Sequence, residues 1–215
     1  MNFMSIEVAA QMFLFNPSDP YATSYKQVRS AMKSGTEMVQ AKTPFFHNHL
    51  HDLESLWWVA VWVVFNNNFS EPDFSTLLDV EYRLNIARRL FPPTLDSITR
   101  QDTFQRPSQF RELCDKLPHG KEDIYDALDA LRRILLTDYK LIEAGYPPSI
   151  NLDASNKGIY DAFTEAFSDI QALSDGLVLH FVPAIYTKLL KAENLKRPRS
   201  KSTNDIRVSQ KFAKK

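Results

Sequence analysis

The sequence predicts a mainly α-helical protein, and two observations carry that prediction. Apolar residues recur at spacings of three and four in several separate stretches, the period of one face of a helix. The strict apolar–polar alternation of a half-buried strand is almost absent. With 215 residues, 44% of them hydrophobic and 12% aromatic, the chain has enough apolar side chains for a substantial core, and it sits near the upper end of single-domain sizes. One compact domain with ragged ends is therefore expected.

Taken in order, the first strong element is Leu53 to Phe65 (LESLWWVAVWVVF). Its valines and tryptophans favour strand, but its length exceeds a usual strand and suits a helix buried all round. His51 and Asp52 would then occupy the cap and first turn, where a carboxylate accepts backbone N–H groups. Asp73 to Leu90 is an amphipathic candidate with Leu77, Leu78, Tyr82, Ile86 and Leu90 on one side, ending at Pro92 and Pro93. Phe110, Leu113, Cys114 and Leu117 suggest a shorter helix after Pro107. Ile124, Leu128, Leu131, Leu135 and Tyr139 mark a longer one, with Glu122, Asp123 and Asp126 near its N-terminal end, where the helix dipole favours acid. Gly145 and Pro147 stop it.

A further stripe, Ile159, Phe163, Phe167, Ile170 and Leu173, runs up to Gly176. Val178 to Leu190 follows as a last helix that Pro183 either kinks or begins. Loops are expected at 16–20, 66–72, 91–107 and 145–157, and none has the composition of an interdomain linker. Tyr21 to Thr43, with Lys26, Arg29, Lys33 and Lys42, reads as a surface excursion.

The 26 basic and 26 acidic residues balance, but not evenly along the chain. Residues 196–215 (KRPRSKSTNDIRVSQKFAKK) hold eight Lys or Arg and one Asp, which leaves 18 basic against 25 acidic residues upstream. That tail has too few large apolar residues to offset its ordering entropy and is expected to be disordered. Its Lys196, Arg197, Arg199 and Lys201 suit a solvated tail, or a nuclear import signal or nucleic-acid contact. A nucleic-acid partner is not expected. The longest apolar run, Leu56 to Phe65, would span about 15 Å as a helix, half of a bilayer core, and the N-terminus lacks the basic flank of a targeting segment. A soluble, intracellular protein, cytoplasmic or nuclear, is expected, with no membrane partner. The single cysteine, Cys114, excludes an internal disulfide and reads as a buried, inert thiol.

Two segments together carry a resemblance. FMSIEV at Phe3 to Val8, followed by HDLESLWWVAVWV at His51 to Val63, resembles the paired hallmarks of the fungal-type protein kinase family. The resemblance implies that the first is the A-P-E element that ends the activation segment, with Glu7 as its glutamate and Ile6 where ordinary kinases have proline. It implies that the second opens the central helix of the C-lobe, with Asp52 as the aspartate that bonds the backbone of the catalytic loop. Residues 3 to 65 carry it; beyond them only helical character and size agree. The implied fold is a helical, kinase-like C-lobe over residues 1–195, lacking the N-lobe and the catalytic loops, followed by the basic tail at 196–215.

The departures from the family bear on activity. Kinase chemistry needs a Gly-rich loop over the phosphates, a strand Lys paired with a Glu, an H-R-D aspartate and a D-F-G aspartate. None is present, and no two of the five glycines lie within four residues of each other. In a kinase these elements precede A-P-E, and this sequence opens almost on that element. The expectation is a C-terminal fragment of a kinase domain that is catalytically inactive alone, with no catalytic, cofactor or metal residues of its own. ATP and magnesium would enter only through an upstream half. Glu7, His51 and Asp52 are then structural motif residues. An upstream kinase half or another protein would be the partner, and self-association is expected, because Phe3, Met4, Phe13, Leu14 and part of the Trp57 to Phe65 helix would lack their usual cover. The alternative is a helical protein-interaction module with a basic tail.

Other patterns have simpler readings. His47, His49 and His51, followed by Asp52, superficially resemble the H-x-H-x-D-H zinc ligands of metallo-β-lactamase-like hydrolases, but the order is wrong and only His119 and His180 remain as further histidines. A solvent-facing loop entering a helix accounts for them. Trp57, Trp58 and Trp62 fit a core helix better than a ligand-binding aromatic box.

Overall fold

The computed structural model describes residues 3–15, 45–68, 77–92, 98–117, 121–144, 151–152 and 157–196. Within them the protein is mainly helical. The elements are α1 (Ile6–Ala10), α2 (His49–Asn66), β1 (Asn67–Asn68), α3 (Leu77–Leu90), α4 (Ile98–Gln105), α5 (Pro107–Cys114), α6 (Glu122–Glu143), α7 (Ile159–Ser174), β2 (His180–Phe181) and α8 (Val182–Lys196).

The central element is α2. It packs against α3 on one side and α6 on the other, α7 covers α6, and α8 lies on α3. Its apolar residues are spread round the helix, so it buries Leu50, Leu53, Trp57, Trp58, Val61, Val64 and Phe65 against several neighbours at once. Trp57 donates its indole N–H to the Leu128 carbonyl at 2.8 Å, which ties α2 to α6 inside the core. Phe104 and Phe110 complete an aromatic cluster around Trp57. A smaller apolar cluster, Val80, Leu84, Val182 and Ile185, joins α3 to α8.

The stripe in α6 is buried as its period predicts, from Ile124 through Leu128, Leu131 and Leu135 to Tyr139. The start of α2 lies earlier than expected. Asn48, not His51 or Asp52, is the N-cap, and His51 is the third helical residue, completing a capping box with Asn48. The face assigned to α3 also needs correction: Leu78 and Tyr82 are exposed, while Val80, Arg83, Leu84 and Ala87 are buried with Ile86 and Leu90. Helix α3 has partners on two sides, α2 and α8, so its buried arc is rotated from the single stripe that the sequence suggests.

Where a loop was expected at 91–107, α4 forms and buries Arg100 and Phe104. The last helix begins at Val182, four residues late, because His180 and Phe181 pair antiparallel with Asn68 and Asn67. Pro183 therefore opens α8, where its missing N–H costs nothing. The loop expected at 66–72 begins instead with the end of α2 at Asn66 and with β1, and its residues 69–72, together with the loop expected at 16–20, the excursion at 21–43, residues 145–150 and 153–156 of the last loop, and the tail beyond Lys196, lie outside the described residues.

Residues 3–15 have more cover than expected. Phe15 is buried and stacks on Tyr139 with ring centroids 4.5 Å apart, and Phe3 packs edge-on against Trp62 and Phe91. Met4 is exposed, and Phe13 and Leu14 are half-buried. On α2 the outward Leu56 and Val59 are the open positions, whereas Trp57 and Trp58 are wholly enclosed. No described helix is long and apolar enough to cross a membrane.

Candidate functional site

Three glutamates with no exposed surface converge where α1, α2 and α6 meet: Glu7, Glu54 and Glu143. Each accepts a backbone N–H from the N-terminal limb. Ile6 N–H donates to Glu54 Oε1 at 2.9 Å, Leu14 N–H to Glu7 Oε1 at 2.5 Å, and Phe15 N–H to Glu143 Oε2 at 2.9 Å. The limb contains a short helix followed by non-helical chain, whose amides lack intrahelical partners, and the carboxyls supply them.

Glu7 lies on α1, which Ser5 caps by accepting the Val8 N–H at 3.2 Å. Gln11 ends the helix in a left-handed conformation at φ 53°, turning the chain so that Leu14 and Phe15 come back over the cluster. His51 faces Glu7 from α2. Its Nδ1 accepts the Asn48 N–H at 2.9 Å, so the ring proton is on Nε2, which donates to Glu7 Oε2 at 2.9 Å. With Nδ1 occupied as an acceptor, the imidazole is neutral. Burial pushes it down to about 4, against the pull of Glu54.

The carboxyl of Glu7 is pushed up to about 7 by burial, opposed by its bonds to Glu143 and to the Leu14 N–H. Glu54 is raised by burial as well, offset by donors: Ile6 N–H and Trp58 Nε1–H on Oε1, and the Tyr139 hydroxyl on Oε2 at 2.9 Å. Arg100 lies near Glu54, stacks over the Trp58 ring at 4.4 Å and donates to the Met4 carbonyl at 2.6 Å. Burial lowers Arg100 to about 10, which leaves it charged near neutral pH.

Asp52 is not in the cluster. It is 76% exposed, one helical step round α2 from His51, with the His47 ring 3.4 Å away. The three alternating histidines do not share the solvent-facing loop expected for them: His51 is buried in α2 and donates to Glu7, His47 packs edge-on against the His51 ring at 5.0 Å beside Asp52, and His49 stacks on the Tyr160 ring. Among the described residues, no three of His, Cys, Asp and Glu are grouped to hold a metal ion. Cys114 is buried, and burial pushes its thiol up to about 12, as expected of an inert thiol.

In the sequence, Glu7 and His51 stand within motifs but no partner is evident for Glu7, and the roles of Glu54, Tyr139 and Glu143 in the cluster are not legible there. Glu54 stands inside an otherwise apolar run, an unusual place for a solvent-facing acid, and that was its only signal. The class these features define is a mainly helical protein whose N-terminal limb is fastened by a buried carboxyl–histidine cluster. Comparison with family models, curated proteins and solved structures finds no match.

Proposed function

We propose that the chain is a C-terminal part of a fungal-type protein kinase domain and that it transfers no phosphate by itself. The supporting observation is the pairing of Glu7 with His51 at 2.9 Å, because these residues belong to the two segments that carry the family resemblance. The pairing suits a role in which the A-P-E-like element is clamped to the start of the central helix. Asp52 faces away from the clamp, as a residue would that serves a catalytic loop supplied by other residues. The chain offers no Gly-rich loop, H-R-D or D-F-G element, so a nucleotide has neither a phosphate cradle nor a magnesium ligand set here.

Two measurements test this reading. Calorimetry with ATP and magnesium should give no saturable heat, and labelled ATP should leave a generic acceptor unlabelled. Co-expression with the Gly-rich-loop to D-F-G half of a complete fungal-type kinase should give a soluble complex that transfers phosphate. Micromolar ATP binding by the chain alone, or failure to form any complex with that half, would sink the reading.

A second reading, a helical interaction module, is favoured by an open apolar groove of about 420 Å³ between α2, the start of α6 and the end of α7. Leu56, Val59, Val63, Ile170 and Leu179 line it, and among the described residues no Lys, Arg, Asp or Glu does. A second copy of the chain is the occupant this reading names. Sedimentation equilibrium would then show a dimer that Val59→Asp dissociates while leaving the fold intact; a monomer at all concentrations removes this reading.

A further inference from the structure

On the α3 side of α2, a cleft of about 310 Å³ opens between α2, α3 and the first turns of α8. It is separate from the apolar groove on the α6 side, and none of the buried glutamates lines it. Its walls are aromatic: Trp62 of α2, Phe91 just past α3 and Tyr186 of α8. Phe3 packs edge-on against both Trp62 and Phe91, with ring centroids 6.0 and 5.9 Å away, so the fold sets these two walls before anything enters. A volume at the small end of the range for ligand pockets, walled by rings, suits a molecule of one or two fused rings.

The polar groups at the cleft are few, and each offers one kind of bond. Asn66, the last residue of α2, is only 6% exposed and lines the cleft. Its Nδ2 donates to the Trp62 carbonyl at 3.1 Å, while its Oδ1 accepts nothing from the described residues. Asn66 therefore presents an acceptor, which calls for an N–H or O–H. Arg88 stands at the exposed rim. Its Nη1 donates to the Asn85 amide oxygen at 3.3 Å, it has no acidic partner among the described residues, and none of those lining the cleft is Asp or Glu. The rim thus carries a positive charge with no acid beside it, and a guanidinium matches a carboxylate. The Thr187 hydroxyl is turned back on the Pro183 carbonyl at 2.9 Å and adds no donor.

We propose that this cleft binds a small planar aromatic acid, a molecule of one or two rings with a carboxylate for Arg88 and a ring N–H or O–H for Asn66. The rings enter between Trp62, Phe91 and Tyr186, the donor meets Asn66, and the carboxylate stays at the rim. The two polar contacts differ in weight. Asn66 is buried, where an acceptor left unmet is costly, whereas Arg88 is exposed and its attraction is screened by water and salt. Binding therefore depends on the donor more than on the charge. The site does not rest on the kinase reading, because neither Glu7 nor His51 takes part.

The test titrates the isotope-labelled full chain with indole-3-carboxylate and reads the side-chain N–H resonances of the tryptophans. Two further probes of the same shape are compared: the neutral carboxamide, which lacks the charge, and the benzothiophene carboxylate, which lacks the N–H. Trp62 should shift saturably with the indole acid, while Trp57 and Trp58, wholly enclosed and bonded inside the core, stay in place. The benzothiophene acid should bind about tenfold more weakly, the scale of one buried hydrogen bond. The carboxamide should bind about threefold more weakly, the scale of a screened surface pair. Arg88→Gln should erase the preference for the acid over the carboxamide, and Thr187→Trp, at an exposed position on the wall, should fill the cleft and abolish binding. The proposal is overturned if Trp62 shows no saturable shift at millimolar probe, if all three tryptophans shift alike, or if the three probes bind equally. It is likewise overturned if the preference survives Arg88→Gln or binding survives Thr187→Trp.

Discussion

Glu54 and Tyr139 meet inside the protein, the tyrosine hydroxyl donating to Glu54 Oε2 at 2.9 Å from 85 positions along the chain. Around that contact the same carboxyl takes the Ile6 N–H and the Trp58 indole, so one buried acid joins α1, α2 and α6. A buried carboxyl with this many donors is costly to remove, because each donor is left without a partner.

Glu54→Ala should therefore destabilise the chain by about 3 kcal/mol or more, and Glu54→Gln by less, since an amide keeps one acceptor and Tyr139 can turn to accept from it. Urea melts would measure both. Because burial raises the Glu54 carboxyl, its contribution to stability falls as pH rises above the ordinary glutamate range. The Gln variant should accordingly lose less stability between pH 5 and 8 than wild type.

Asp52 has the opposite surroundings. It is exposed in the first turn of α2, beside His47, and capping there is done by Asn48. Asp52→Asn should cost no more than about 1 kcal/mol, the scale of an exposed charge at a helix N-terminus. Asn48→Ala should cost more, because it removes the cap itself. A large loss for Asp52→Asn in denaturant melts would reveal a buried role that its exposure contradicts.

Arg132 is wholly buried and donates to Asp129 Oδ1 through Nε and Nη2 and to the Phe104 carbonyl through Nη1. Asp129→Ala would strand that guanidinium without its anion, a loss of about 3–5 kcal/mol. Replacing Asp129 and Arg132 together by apolar residues should recover part of it, since the orphaned charge goes too. A double-mutant cycle checks this: additive losses would mean that the two side chains are not coupled.

Cys114 is 8% exposed, and its thiol is pushed up to about 12 by burial. At pH 8 it should resist a thiol-specific reagent in the folded chain and react within seconds in denaturant. Rapid labelling of the native protein at low reagent would show that the α5–α6 contact opens locally.

Several elements were legible without a structure because their signals are local. The i, i+3, i+4 stripe of α6 predicts both the helix and the apolar face it buries, since a broad apolar face is enclosed whichever helices cover it, here α2, α7, α5 and α4. The apolar run that becomes α2 announced a buried helix by its length. Helix α4 was illegible: eight residues give two turns, and ITRQDTFQ has too few apolar positions to show a period, so only its place between the N-terminal limb and α6 reveals why Phe104 and Arg100 are inside.

The sequence by itself determined the helical class, the central position of the tryptophan-rich helix and the separation of an acidic body from a basic tail, because these depend on composition and on periods a few residues long. Only the tertiary structure decided which acids are buried. Glu7, Glu54 and Glu143 read singly as ordinary charged residues, and each is enclosed because distant donors converge on it: Leu14 and His51 for Glu7, Ile6 and Tyr139 for Glu54, and Phe15 for Glu143. A buried charge is tolerated only where such partners arrive, and their arrival is a property of the packed helices rather than of any local stretch of chain.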